Sequence, residues 1–139
     1  MSLSKKQKTL GTIFKQFKNK KMTTQEIANR LYELCKQGQF ETAQNELYAD
    51  NAISTELSPS GELQTVNGRE AITAKGKQFQ TMIEAHYGGH SNEPMAFGNN
   101  IFMELGMDVK MKGMDRMYMK EMCHYVVADG KIISERFYY

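Results

Sequence analysis

From Arg116 to Val127 the chain alternates so that Met117, Met119, Glu121, Cys123, Tyr125 and Val127 share one side of an extended strand. Glu121 is the only charge on that row. A carboxylate facing a core is costly unless it is paired, hydrogen-bonded or protonated. Two uses follow: an acid that exchanges its proton near neutral pH, or one arm of an ion pair with a helix residue such as Arg30 or Arg69. The segment after it turns at Asp129-Gly130-Lys131, a pattern commonly seen as a type I turn with a glycine bulge. That register sets Val127 opposite Lys131, Cys123 opposite Glu135 and Glu121 opposite Phe137. It brings Glu135 to the inner face and buries Ile133 and Phe137, whereas a plain two-residue turn would present Arg136 and Tyr138. Diagonal neighbours on adjacent strands lie roughly 7–8 Å apart. Burial and like charge at that distance favour the neutral acid, and a carboxyl that titrates near pH 7 suits general acid–base work. Tyr125, on the Glu121 row, is placed to hydrogen-bond a substrate oxygen.

Around these three candidate catalytic residues, an apolar lining is expected. Met103, Leu105 and Met107 come from the preceding strand, Met119 and Cys123 from the Glu121 row, Phe137 from the last strand and Leu31 from a helix. The clustered methionines (Met103, Met107, Met111, Met117, Met119) suit an irregular core or a pocket for varied apolar ligands, and core packing is the preferred account. His86 and His90 would share a strand face about 13 Å apart, too far to ligate one ion. His124 falls on the outer face beside Lys120, a solvated position. Gly88-Gly89 and Gly106 suit bends in a sheet rather than a phosphate cradle. No metal site and no cofactor are expected.

The elements that must position this site are legible from capping and periodicity. Thr23 with Glu26 forms a capping box. Ile27, Leu31 and Leu34 give one apolar stripe, and Gly38 ends the helix in a left-handed stop. A second helix carries Phe40, Ala43 and Leu47 and ends at Tyr48 or Ala49. Asp50-Asn51 is expected to turn, 52–57 to form a short strand and 58–67 a loop. The third helix starts with Asn67 as cap and Glu70 answering it, and Ile72, Gly76, Phe79 and Ile83 form its buried face. Gly76 there suggests close approach of another element. Beyond residue 84 the period becomes two. A weak strand spans His86–Pro94, Asn99-Asn100 turns, and Ile101–Met111 alternates apolar with mostly polar residues. Strands at 116–127 and 131–138 follow. Helices first and a meander after them mean segregated α+β, with three N-terminal helices packed on a curved antiparallel sheet.

The chain has 139 residues, 40% of them hydrophobic and 24% charged, which fits one domain. Seven of its 18 basic residues lie in 1–21, which hold no acid. The remainder carries 11 basic against 16 acidic residues, an acidic balance that argues against a nucleic-acid surface on the domain. Residues 1–21 are a basic extension in which Leu10, Ile13, Phe14 and Phe17 sit at helical spacing. That extension reads either as a segment that lies on a membrane or partner, or as a solvated tail, which is preferred. Met22 opens the capped helix, so 22–139 is expected to be the working domain. No apolar run approaches the roughly 20 residues that span a bilayer, and no signal peptide is evident, so a cytoplasmic protein is expected. Cys35 and Cys123 are expected as buried free thiols.

The order of these features resembles the nuclear transport factor 2-like superfamily, and within it the SnoaL-like group. The resemblance covers about 22–139. It rests on the first helix, on Leu47-Tyr48-Ala49-Asp50-Asn51-Ala52, on Asn67-Gly68-Arg69-Glu70-Ala71-Ile72, and on Asp129-Gly130-Lys131-Ile132 before Phe137-Tyr138-Tyr139. It implies a cystatin-like cone with an internal pocket between helices and sheet. It further implies a small-molecule ligand and either acid–base chemistry of the isomerase, cyclase or dehydratase type on an apolar organic substrate, or a non-catalytic binding or interaction module. Proteins of this superfamily commonly dimerise through the outer sheet face. Here that face carries Phe102, Tyr118, Met122 and Val126, so a homodimer is expected. The Asp–His arrangements of characterised superfamily members have no counterpart in this sequence.

Overall fold

The computed structural model describes Ser4 and residues 20–139. The amphipathic stretch proposed around Leu10–Phe17 therefore lies outside the described residues. The first helix, α1 (Thr24–Lys36), begins with the expected capping box. Glu26 N–H donates to Thr23 Oγ and Thr23 N–H donates to the Glu26 carboxylate, each at 3.1 Å. Its buried stripe is Ile27, Ala28, Leu31, Leu34 and Cys35, and Gly38 follows in the left-handed conformation at φ 70°. α2 (Phe40–Leu47) lays Ala43 and Leu47 on the same core.

The chain then departs from the turn expected at Asp50-Asn51. Strand β1 runs unbroken over Tyr48–Leu57. Its register against its parallel neighbour shifts between Tyr48 and Ile53, so Asp50 and Asn51 form part of a bulge. The loop expected at 58–67 is also shorter. Only 58–62 connect β1 to β2 (Leu63–Asn67), which pairs back antiparallel with Leu57 opposite Leu63. α3 (Arg69–Thr81) starts one residue later than the Asn67 cap implies. Gly68 at φ 95° is its N-cap and no side chain caps it. Close approach at Gly76 is not found: an added Cβ would meet nothing nearer than Gln44 Nε2 at 3.9 Å. Ile83 belongs to the next strand, β3 (Ile83–Ser91), not to the helix. A three-residue β4 (Met95–Phe97), absent from the sequence reading, folds onto β5 (Asn100–Met111). β6 (Arg116–Ala128) and β7 (Lys131–Tyr138) complete the chain.

The seven strands of the described residues form one sheet in the order β2-β1-β7-β6-β5-β3, with β4 also on β5. All neighbours are antiparallel except β1 and β7, which run parallel. The sheet is therefore mixed rather than wholly antiparallel, and β1 with β2 precedes the third helix. The three helices of the described residues cover one sheet face. Between the layers lies a core that joins Ile27, Leu31, Leu34, Leu47, Tyr48 and Ile72 to Ile101, Met103, Cys123, Tyr125 and Ile132. Cys35 and Cys123 are buried free thiols. Among the described residues no helix is long and apolar enough to cross a membrane.

Candidate functional site

An open cavity of about 1000 Å³ lies between the helices and the inner sheet face. Leu31, Leu105, Met107, Met119 and Phe137 line it as expected, with Phe40, Ile72 and Phe79 completing its apolar wall. Met103 and Cys123 do not: both are fully buried in the core behind the wall. The polar groups of the lining include Tyr48, Glu56, Lys75, Glu121, Tyr125, Glu135 and Tyr139.

The hairpin between β6 and β7 decides which residues of β7 face inward. Asp129 and Gly130 both have positive φ, 51° and 74°, the signature of a type I′ two-residue turn. Ala128 therefore pairs with Lys131 and Val127 with Ile132, one step from the expected register. Between Val126 and Val127 the ladder shifts, so that Val126 pairs with Ser134 and Ile133 is the extra residue. Ile133 is consequently 37% exposed rather than buried, and Ile132 takes the core position. The bulge restores the inward phase of Glu135, Phe137 and Tyr139. Glu135 then faces Tyr125, Phe137 faces Cys123, and continuing the register sets Tyr139 beside Glu121. Glu121 and Glu135 are thus not diagonal neighbours. Glu121 lies four residues from the partner of Glu135, roughly 13 Å along the strand.

Parallel pairing with β1 supplies what lies between them. Ser54 pairs with Glu135, and the inward alternation of β1 continues to Glu56. Glu135 is only 4% exposed and accepts a hydrogen bond from the Tyr48 hydroxyl. Burial raises its carboxyl above the ordinary value, while hydrogen bonds from Tyr48 and Ser54 pull the other way. Lys75, reaching in from α3, donates to Ser54 Oγ and to Glu56 Oε1, both at 3.0 Å. The Tyr139 hydroxyl donates to Glu56 Oε2 at 2.7 Å, and burial, with Glu56 and Glu121 both adding to it, holds its phenol above the ordinary value. Burial pushes the Glu56 carboxyl up, but the Tyr139 and Lys75 hydrogen bonds and the Lys75 charge outweigh it and leave it below its ordinary value.

Glu121 has neither of the arginine partners considered for it. Arg30 pairs with Glu46 at 2.7 Å and Arg69 with Asp50 at 2.9 Å. Burial, reinforced by the Glu56 charge, raises the Glu121 carboxyl to about 7. Cys123 Sγ approaches its Oε1 at 3.8 Å, a weak thiol contact. Tyr125 and Tyr48 are both buried, and burial holds their phenols well above the ordinary value, so each stays a neutral hydroxyl. Two carboxyls near one hydroxyl, one ionised and one protonated near neutrality, can accept and deliver a proton at the same cavity wall.

Two histidines, His86 and His90, also line the cavity. A bulge between His86 and Gly88 pairs His86 with inward Val109 and His90 with outward Gly106, so the two occupy opposite faces rather than one. His90 contacts the Tyr118 hydroxyl through Nδ1 and Glu104 through Nε2 at 2.9 Å. His124 is not simply solvated: it stacks on Phe102 at 4.5 Å and bonds Asn100 Oδ1 at 2.9 Å.

Sequence reasoning placed Glu121, Glu135 and Tyr125 on the inner face, where the structure has them. It missed Glu56, Lys75, Ser54, Tyr48 and Tyr139. The alternation Ala52, Ser54, Glu56 in β1 was available as a signal for two of these. The remainder depend on which strand lies beside β7.

Helices on a curved mixed sheet around a pocket with carboxyls on the sheet wall define a nuclear transport factor 2-like, cystatin-like protein. The SnoaL-like domain family matches residues 22–139, and the chain belongs to that family. A protein of Mesorhizobium loti, named as a candidate SnoaL-like polyketide cyclase with carbohydrate phosphatase as a second label, is 35% identical. The match covers 85% of this chain and all of that one, with a TM-score of 0.77. A second candidate SnoaL-like polyketide cyclase, from Jannaschia sp. CCS1, is 16% identical over 83% of each chain, TM-score 0.66. A nuclear transport factor 2-like protein of unknown function from Burkholderia pseudomallei K96243 is 15% identical over 85% of this chain and 92% of its own, TM-score 0.68. The last two likenesses show the fold alone. A comparison with curated proteins finds no match.

Proposed function

We propose that the chain binds an apolar organic molecule in the cavity and performs general acid–base chemistry on it, with Glu121 as the group that exchanges the proton. The observation that carries this reading is Glu121 itself. It is a mostly buried carboxyl on an otherwise apolar row, without a cationic partner among the described residues, and its pKa is raised to about 7 at the wall of a cavity large enough for a small organic ligand. Proton removal next to a carbonyl, followed by cyclisation, isomerisation or dehydration, fits such a group. The cyclase names of the Mesorhizobium and Jannaschia proteins point to the same class of chemistry. Tyr125 would present a neutral hydroxyl to a substrate oxygen, and the apolar wall would exclude water from the reacting atoms.

Glu135 favours the second reading, a binding module without catalysis. Its carboxyl already accepts a hydrogen bond from the Tyr48 hydroxyl, a structural use that needs no substrate. Carbon-13 NMR titration of the glutamate side-chain carboxyls discriminates the two. A Glu121 midpoint near 7 that moves when the apolar probe N-phenyl-1-naphthylamine fills the cavity is the expected result. A Glu121 midpoint below 5 removes the acid from the proposal and leaves the binding module.

A further inference from the structure

The reading of Glu121 as a proton donor leaves open what receives a proton at the same site, and the strand register supplies an answer. Three residues that the inward row of β6 does not contain converge on it. Glu56 comes from β1, Tyr139 lies beyond the last paired residue of β7, and Lys75 comes from α3. The Tyr139 hydroxyl is bonded to Glu56 Oε2 at 2.7 Å, and the continued register of β7 on β6 sets Tyr139 beside Glu121, so one hydroxyl lies between two carboxyls. Lys75 binds the other oxygen of Glu56 at 3.0 Å and is itself fixed by Ser54 at 3.0 Å. Among the described residues, Glu56 therefore has a cation to hold it ionised, whereas Glu121 has none within ion-pairing distance.

We propose that Glu56, Tyr139 and Glu121 form a two-carboxylate proton relay for a substrate with a carbonyl next to an acidic C–H, with Glu56 as the base, Glu121 as the acid, Tyr139 as the bridge between them and Lys75 as the residue that positions Glu56. This rests on the acid–base reading above. The carboxylate of Glu56 takes the proton from the carbon beside the carbonyl. The C–H electron pair becomes the carbon–carbon double bond, the carbonyl π pair moves to oxygen, and Glu121 delivers its proton there. The product is the enol, Glu56 is now protonated and Glu121 ionised. Glu56 returns its proton to the Tyr139 oxygen as the Tyr139 proton passes to Glu121, which restores both groups. No oxidant, metal or water is consumed. The enol can then close a ring, lose a neighbouring hydroxyl or return its proton at another carbon.

The groups facing Glu121 account for the division of roles. Glu56 on β1 and Glu135 on β7 disfavour its ionisation, Cys123 and Tyr139 weakly favour it, and burial dominates all four. Cys35 on α1 and Tyr125 stay protonated, the thiol being pushed up to about 12 by burial and the phenol held high for the same reason, so neither adds charge.

The relay predicts a coupling that a lone acid lacks. In the full chain, carboxyl NMR titration of the unmodified protein and the Glu56→Gln variant should show the Glu121 midpoint falling once the Glu56 charge is gone. In parallel, the rate of deuterium uptake from D2O at the acidic carbon of 2-tetralone, read by proton NMR, reports the base. Uptake should exceed that in buffer and drop on the order of a hundredfold in Glu56→Gln, with a clear loss in Tyr139→Phe, which keeps the ring and removes only the bridge. A Glu121 midpoint near 7 in both proteins, or uptake unaffected by Glu56→Gln while Glu121→Gln abolishes it, overturns the relay and leaves the acid in place. A Glu121 midpoint below 5 in the unmodified chain overturns the underlying acid–base reading as well. Uptake no faster than in buffer overturns the relay whatever the titrations give.

Discussion

Glu121 holds its proton for two reasons that differ in how they respond to change. Burial is a property of the strand and survives any conservative substitution around it, whereas the Glu56 charge is one side chain. The consequence for stability has a definite sign. A carboxyl raised from 4.5 to about 7 binds its proton more tightly in the folded than in the unfolded chain. Its stabilising contribution is complete below about pH 4.5, falls as pH rises toward about 7, and is lost beyond it. Glu121→Gln removes that dependence, because a neutral amide of the same shape cannot ionise. Denaturant unfolding should therefore find the variant gaining on the parent between pH 4 and pH 8 by roughly 3 kcal/mol, given the shift to about 7. A parallel pair of pH profiles would show that the carboxyl is solvated in the folded state. Glu135 carries a shift of the same direction but is tied to Tyr48, so its proton belongs to the architecture of the cavity floor rather than to its traffic.

At the scale of elements, the outer edge of the sheet shows why two glycines in neighbouring strands differ in use. Gly89 of β3 and Gly106 of β5 lie next to one another in the ladder, yet an added methyl would meet different obstacles. At Gly89 the Cβ would sit 2.5 Å from the Gly106 carbonyl oxygen, which is backbone and cannot swing aside. At Gly106 it would collide with the Tyr118 hydroxyl and the His90 ring, both ends of side chains that can rotate outward. Gly89→Ala is expected to destabilise the protein by about 1–3 kcal/mol, in the range of overpacked interiors. Gly106→Ala should cost less and instead break the contact between His90 and Tyr118. Thermal unfolding of the two variants compares the costs, and the His90 ring resonances report whether the pair is broken. Equal losses of stability would mean that the strand backbone at Gly106 is no freer than at Gly89. Neither substitution touches the carboxyl cluster, so Glu121 should titrate as in the parent.

For the whole molecule, the two sheet faces are unlike. The inner one is covered by helices and holds the cavity. The outer one presents Phe102, Tyr118 and Met122, each more than a third exposed, beside the exposed Tyr138. Charged groups interleave with them, including the Arg116–Asp108 pair at 2.8 Å and Lys120 with Glu104 at 3.3 Å. Such a face suits self-association with a polar rim. We propose a homodimer through it. Sedimentation at micromolar concentration should give about twice the chain mass of 15.9 kDa. Met122→Lys, which places a charge at the centre of the face, should shift the species toward the monomer. A monomer in the parent chain would leave this face free. Glu121 lies on the inner face, so it should titrate alike in either state.

By itself the sequence determined the kinds of element and the inward row that matters. A capping box, a stripe at helical spacing and strict alternation are local, and each is set by backbone geometry over a few residues. Glu121 stood out for the same reason: one charge on an apolar row is visible without knowing what faces it. The tertiary structure decided the neighbours. β1 pairs with β7 across about eighty residues of chain, in parallel, and nothing in either segment names the other. That pairing brings Ser54 and Glu56 beside Glu135 and Tyr139. Packing of α3 over it brings Lys75. The turn at Asp129-Gly130 shows the same division at smaller scale. Its residues announce a hairpin, but the bulge one pair later, which the sequence reading placed in the turn itself, keeps Glu135 facing inward. A side chain's phase follows from its own strand, whereas its partner follows from long-range pairing, which is selected by the burial of the whole sheet.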